Sequence, residues 1–518
     1  MTGLRLAFGL DFADLHARDG LVRLDRAFLA ALTAEDPALA DRLLAARAAP
    51  GALATLDASA LMIDLGAPLE RFLGDLFGIR AEIAALSAGT RSLDPVWEAK
   101  RNFVQRRALK AHKADAAAAF DAAALSAALE AAMGEALTEA SFARHVVAWS
   151  ATPEAHADAL AAAERYAAWA TLSPAGRARH AAGVLFRAPR KVDPATLVPV
   201  ERIERDGVTM MRLPEHDWRE RDAFSLTDRG MDAVQALDQA NYCIWCHEQG
   251  KDSCSKGLRD RKTGAFQKSA HGATLAGCPL EEKISEMHTL RARGSAVAAL
   301  AVVAVDNPMC AGTGHRICND CMKACIYQKQ EPVDIPQVET RVLKDVLALP
   351  WGFEVYSLLT RWNPLDFRRP LPRPRSGRKV LVVGLGPAGY TLAHHLLNDG
   401  HAVVGIDGLK IEPLDPALSG VAADGARVPF APVRDVATLA EDLDARVLAG
   451  FGGVAEYGIT VRWDKNFLKL IRLLLERRDG FAMHGGVRFG GTLALDDAWD
   501  LGFDHVALCM GAGRPTVI

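Results

Sequence analysis

Residues 379–407 read KVLVVGLGPAGYTLAHHLLNDGHAVVGID, and this stretch decides the fold of the C-terminal part of the chain. The apolar run from Lys379 predicts a strand ending in Gly384-x-Gly386-x-x-Gly389, with a helix over YTLAHHLLNDG. A second strand, AVVGID, closes at Asp407, 23 residues after the first glycine. Three glycines at that spacing permit a tight turn, close backbone approach to a pyrophosphate, and packing of helix on strand. The helix start, with Pro387 and Ala388, supplies free N–H groups and a dipole that favour phosphate. Asp407 stands where a carboxylate accepts hydrogen bonds from a ribose 2′-OH. Glycines alone would equally suit a turn in an α/β domain that binds no phosphate. Strand, helix, second strand and acid in this order point to a dinucleotide-binding unit.

Upstream lie eight of the nine cysteines, all between Cys243 and Cys325; the ninth is Cys509. Disulfide scaffolds are short, secreted and cysteine-dense throughout, so thiols clustered in a long chain point instead to metal or redox chemistry. The first set is Cys243-x2-Cys246-x7-Cys254, with Cys278-Pro279 after 23 further residues; the second is Cys318-x2-Cys321-x3-Cys325. Structural zinc takes four ligands, as two close pairs or a pair with histidines. The unequal triples and the Cys-Pro fit iron–sulfur ligation better, where the cysteine before the proline reaches across to a second cluster. Counted this way, Cys243, Cys246, Cys254 and Cys325 hold one [4Fe-4S] cluster. Cys278, Cys318 and Cys321 hold the other, leaving a position for Cys310 or a non-cysteine ligand. A zinc module is the alternative; His247 and His271 are read as bystanders.

The segments NYCIWCHEQGKDSC, AGCPLEEKISEMH and GHRICNDCMKACIYQKQEPVDIPQVETRVL resemble the N-terminal iron–sulfur domain of the glutamate synthase small (beta) subunit, to which that of dihydropyrimidine dehydrogenase is similar. The resemblance implies two [4Fe-4S] clusters on interleaved cysteines, with a Glu or Gln ligand beyond a P-x-x-I segment. Here Pro332-Val333-Asp334-Ile335 puts Glu339 in that position, Gln337 is the second choice, and Cys310 becomes a packed or free thiol. The insertion SKGLRDRKTGAFQKSAHGATLAG departs from the family, which has only a few residues between the counterparts of Cys254 and Cys278. GLGPAGYTLAHHLL resembles the same family's FAD-binding segment, giving Gly384, Gly386, Pro387, Ala388, Gly389 and Asp407 as FAD contacts. Gly453, Tyr457, Gly458 and Ile459 match its glycine and Tyr-Gly-Ile segment near the flavin. HVALCMGAGRP, with Gly511, resembles the strand and turn that return to FAD. Thr460, Asp407-Gly408 and Cys509-Met510 depart from the family's usual residues.

What the family implies is an oxidoreductase that relays electrons between NAD(P)H, FAD and two clusters to a partner acceptor, with no side chain acting as general acid or base. Its nicotinamide domain follows the segment matching Gly511–Pro515. The sequence ends at Ile518, so the expectation is a fragment or split subunit relying on a partner subunit or a missing C-terminal domain. The alternative is a zinc-stabilised nucleotide-binding scaffold or interaction protein without turnover.

The remaining sequence sets limits. A chain of 518 residues suggests about three domains. A net charge of −3 provides no basic field for nucleic acid. No apolar run approaches the ~18 residues of a membrane span, and two early aspartates interrupt any secretory signal, so a cytoplasmic protein is expected. Residues 1–190 read as an α-helical domain without catalytic signature, with helix breaks at Asp36-Pro37 and Gly134. Residues 191–235 read as a linker or arm, 236–345 as the mainly α-helical two-[4Fe-4S] domain, and 346–377 as a stiff, solvated, basic Pro-rich connector. Residues 378–518 read as an α/β Rossmann-like FAD-binding domain, incomplete at its C-terminus. The fold class is therefore multidomain.

Overall fold

The computed structural model describes residues 3–218, 229–314, 318–442, 464 and 466–511. Helices α1 (Arg18–Glu35) and α2 (Pro37–Ala48) meet at Asp36, whose carboxylate accepts a hydrogen bond from Leu39 N at 2.9 Å. The acid satisfies an orphan N–H of the new helix and Pro37 fits its first turn, so the expected break forms here. Helices α3 (Thr55–Phe77) and α4 (Arg80–Arg91) follow, and Phe28, Leu65 and Phe72 enter the main core.

A second core begins after α4. Helix α5 (Asp94–Glu98), a π-type segment over Ala99–Ala108, α6 (Ala122–Met133), α7 (Glu139–Ala151) and α8 (Ala157–Leu172) gather around Phe103, Phe142, Tyr166 and Phe186. Gly134 ends α6 at φ +70°, a left-handed conformation that glycine adopts without steric cost. The helices of residues 1–190 are thus divided between two cores.

The arm is not structureless. Strands β1 (Glu201–Arg205) and β2 (Val208–Arg212) form an antiparallel hairpin turning at Asp206-Gly207, both with positive φ. Just before it, Val192 N donates to Lys329 O at 3.2 Å and Glu331 N to Arg190 O at 2.9 Å, stitching the arm's start to the segment beyond Cys325.

The main core continues through α9 (Ala233–Tyr242), α10 (Ile284–Ala292), α11 (Ala296–Asp306), α12 (Ile335–Leu347) and α13 (Gly352–Leu359). Helix α11 is apolar on every side from Ala296 to Ala304, and all of these residues are buried. Glu70 on α3 accepts from Val297 N (2.8 Å) and Ala298 N (3.2 Å), capping α11 from outside. Among the described residues no helix is long and apolar enough to cross a membrane.

The solvated connector is corrected in its first half. Arg361, Trp362, Asn363 and Leu365 are buried, and exposed chain begins at Arg368. Trp362 packs edge-on against Phe28 at 5.7 Å and donates to Asp25 Oδ1 at 2.9 Å, so an aromatic anchor outweighs the charge and proline around it.

The C-terminal part is a parallel sheet of β3 (Lys379–Val383), β4 (Ala402–Asp407), β5 (Phe481–Gly485) and β6 (His505–Leu508), in the order β5-β4-β3-β6. The chain leaves β3 for β4 on one side and returns to β6 on the other, so the end of β3 is the topological switch point, where α/β sheets bind ligands. Helix α14 (Pro387–Asn398) starts there, and α15 (Phe467–Glu476) packs against it. The buried Arg477–Glu354 pair, 3.0 Å apart, ties the α15 end to α13.

Candidate functional site

The cysteines gather from separate loops. Cys243 caps the C-terminus of α9, Cys246 opens a short turn, and Cys254 sits in the helical turn Ser253–Lys256. The insertion after Cys254 folds back on itself, with Leu258 N bonded to Leu275 O, and Cys278 N donates to Cys254 O at 2.8 Å. The 23-residue excursion therefore leaves its two flanking cysteines adjacent.

Two electrostatic neighbourhoods result. Cys325 lies with Cys243, Cys246 and Cys254; Cys321 lies with Cys278, Cys318, Glu282 and Glu339. Burial pushes the Cys243 thiol up to about 12 and Cys246 to about 11. Cys254 keeps its proton and shares it with Cys325, which is thereby held below the ordinary thiol range, helped by the N–H groups of Tyr327, Val333 and Ile326. In the second neighbourhood burial pushes Cys278 to about 11 and raises Cys321 further. Cys318 is exposed.

Glu339 on α12 is buried beside these thiols. Desolvation raises its carboxyl well above the ordinary range, it is hydrogen-bonded to Glu282, and Asn307 Nδ2 donates to it at 3.1 Å. Gln337 is turned elsewhere, accepting from Met231 N at 3.0 Å. Cys310 is fully enclosed near Glu339 and Glu282, its thiol 3.7 Å from the Tyr356 hydroxyl. His247 bonds Ser285 Oγ through Nδ1 at 2.7 Å, and His271 is exposed. Sequence reasoning passed over Glu282 and Asn307. The acid four residues after Cys278 was a readable signal; Asn307 had none.

The donor set fits iron–sulfur clusters. Each neighbourhood is thiol-rich, the second adds the Glu339 carboxyl, and an N–H points at sulfur from Trp245 N to Cys243 Sγ, 3.5 Å. Among the described residues no three His, Cys, Asp or Glu side chains close tightly enough to hold a single metal ion.

At the switch point Gly384 has φ +93°, and a Cβ there would stand 2.5 Å from Cys509 O. A Cβ on Gly389 would run into the Gly384 carbonyl. These glycines keep the backbone open between β3 and the α14 N-terminus, where Gly386 is the N-cap and Pro387 the first residue. The cradle fits a pyrophosphate on the N–H groups of Ala388 and Gly389. Asp407 is buried and already bonded: Oδ2 accepts from Leu385 N and Oδ1 from Leu409 N, each at 3.0 Å. It braces the glycine loop, and a ribose hydroxyl would use its remaining lone pairs. Gly511 is exposed at φ +72° beyond β6, while Gly453, Tyr457, Gly458 and Ile459 lie outside the described residues. His394 is buried on α14 and hydrogen-bonds Asn398 at 3.1 Å, a structural role.

With the geometry set, likeness to known proteins relates part of the chain to an oxidoreductase subunit. It is 32% identical over 242 residues to the glutamate synthase [NADPH] small chain of Bacillus subtilis (strain 168), covering 46% of this chain and 38% of that protein. Residues 6–78 match a family model described as the RP005 N-terminal alpha-helical domain. Two proteins of Rickettsia prowazekii (strain Madrid E) are also similar. Uncharacterized protein RP006 is 51% identical over 210 residues, 40% of this chain and 28% of its own length. Uncharacterized protein RP005 is 29% identical over 304 residues, 56% of this chain and 99% of its own length. The chain therefore spans well under half of RP006 and of the glutamate synthase chain.

Proposed function

We propose that this chain is part of a FAD- and iron–sulfur-dependent oxidoreductase that relays electrons between NAD(P)H, FAD and two [4Fe-4S] clusters to a partner acceptor, in the manner of a glutamate synthase small subunit. The observation that carries it is the crossing of the cysteines: Cys325 joins Cys243, Cys246 and Cys254, while Cys278 joins Cys318 and Cys321 beside Glu339. The bound groups would supply hydride acceptance and single-electron transfer.

The chain's residues supply the rest. Cys243, Cys246, Cys254 and Cys325 would hold one cluster; Cys278, Cys318, Cys321 and Glu339 the other. Thiols raised by burial would release their protons to solvent on binding a cationic cluster, so assembly would be coupled to proton release. The Gly384–Gly389 loop would hold the FAD pyrophosphate, with Asp407 fixing its shape. Tyr390 on α14 meets Gly312 in the turn after Cys310, so the nucleotide loop and the second cysteine neighbourhood share a packed contact. The nicotinamide site would lie on a partner subunit or a further domain, and a cytoplasmic location suits this chemistry of reduced thiols.

Anaerobic purification with iron, acid-labile sulfide and flavin analysis tests the reading. The expected result is about eight irons and eight sulfides per chain with bound FAD. Zinc without iron would instead support a nucleotide-binding scaffold.

A further inference from the structure

Beside Cys243 a cleft of about 880 Å³ opens between the second core and the cysteine-bearing helices. Trp97 and Lys100 line it from one side, and Tyr242, Cys243, Trp245 and Tyr327 from the other. Its volume lies in the range of small-molecule sites.

Three observations set it apart from a gap between packed units. First, its aromatic rings are held in place. Tyr242 and Tyr327 stack at 4.5 Å and 12°, Tyr242 Oη donates to Glu331 O at 2.8 Å, and Tyr327 Oη to Tyr242 O at 3.2 Å. Second, Trp245 sits at φ +52°, left-handed backbone that strains a bulky residue and persists where the surroundings demand it. Its indole N–H is fixed on Ala240 O at 3.2 Å, so the strain keeps one ring at the cleft. Third, part of the wall's charge is paired within the wall. Lys100 meets Asp238 at 2.5 Å and Arg190 meets Glu331 at 2.6 Å, while Trp97 Nε1 is buried without an acceptor among the described residues. The four basic and four acidic side chains of the lining balance, so the fixed aromatic rings beside them suit a flat ring system of no net charge.

We propose that this cleft binds a planar, uncharged redox compound of the quinone class, laid between Trp245 and the Tyr242–Tyr327 pair and touching the Cys243 loop. The inference rests on the reading above for its electron source. With that source the net reaction is NAD(P)H + H⁺ + quinone → NAD(P)⁺ + hydroquinone. The two electrons arrive singly, and each quinone oxygen gains one proton. The helices of the second core then form one wall of a substrate site.

The test is equilibrium dialysis of the anaerobically purified full chain with menadione, alongside iron analysis of the same samples. Saturable binding at one site per chain is expected. Leu109→Trp, which fills the cleft from the wall remote from the cysteines, should weaken it at least about tenfold with iron content unchanged; Tyr327→Ala should also weaken it. Non-saturable uptake, or binding that Leu109→Trp leaves intact, overturns the proposal. Saturable, Leu109-sensitive binding in iron-free protein would retain the cleft while removing the relay reading; iron-loaded protein that binds no menadione does the reverse.

Discussion

Glu339 and Gln337 stand two positions apart on one helix, and at 3.6 residues per turn that separation sends their side chains to opposite faces. The outcome is visible in their partners, Asn307 and Glu282 for one and the Met231 amide for the other. Replacing Glu339 with Ala should therefore lower the iron content selectively, toward about half, with loss of one of two EPR signals. Gln337→Ala should cost about 1 kcal/mol of stability and no iron. An unchanged iron count in the Glu339 variant would transfer the ligand role to Cys310 or Glu282, further enclosed donors in that neighbourhood. The glycine loop yields a sharper residue-level expectation. A side chain at Gly389 meets the Gly384 carbonyl directly, so Gly389→Val should abolish flavin retention, read as the flavin-to-protein absorbance ratio. Full flavin occupancy in that variant would remove the site from this loop.

At the scale of elements, what was legible in the sequence was local. Asp36-Pro37 and Gly134 carry their own capping and φ preferences, and β3, α14 and β4 announce themselves by pattern. What was hidden depends on distant partners. Nothing local says that Trp362 will meet Phe28 and Asp25, or that a Pro-rich stretch will begin inside the core. The Asp206-Gly207 hairpin belongs to neither case, since an Asp-Gly between alternating runs is a readable turn signal that charge and proline nearby obscured. The Glu70 cap on α11 is another distant partnership, and it has a pH signature. Burial raises the Glu70 carboxyl above its ordinary 4.5, while the N–H groups of Ala298 and Val297 oppose this. The folded state thus binds the proton more tightly than the unfolded chain. The resulting stability is full below pH 4.5 and is lost as pH rises through the folded pKa. Glu70→Gln keeps the accepting oxygen without the charge, so its denaturation midpoint should fall less between pH 4.5 and neutrality than that of the unaltered chain. Glu70→Leu leaves two amides unsatisfied and should cost about 1–3 kcal/mol at every pH.

At the scale of the whole molecule, the first ninety residues share a core with the cysteine-bearing and glycine-loop parts, and the helices from Asp94 to Leu172 have their own. The stretch matched by the RP005 N-terminal family model, residues 6–78, falls wholly on the first side of that division. Its helices supply Phe28 and Phe72 to the Trp362 anchor and cap α11, so they act as structural support for the proposed cluster site. The second core touches that body chiefly through Leu237, the Lys100–Asp238 pair and the stitched chain at residues 190–192. Two cores joined this sparingly should open as separate cooperative units, because unfolding one exposes little apolar surface of the other. Calorimetry of the full chain should resolve two transitions. Phe142→Ala, which empties the centre of the second core, should destabilise only one of them by about 3–5 kcal/mol and leave iron content untouched. Phe28→Ala should shift the other by a similar amount and loosen the cluster site with it. If both substitutions instead lower one shared transition equally, the molecule is a single cooperative unit, and the second core is bound to the rest by more than the contacts named here.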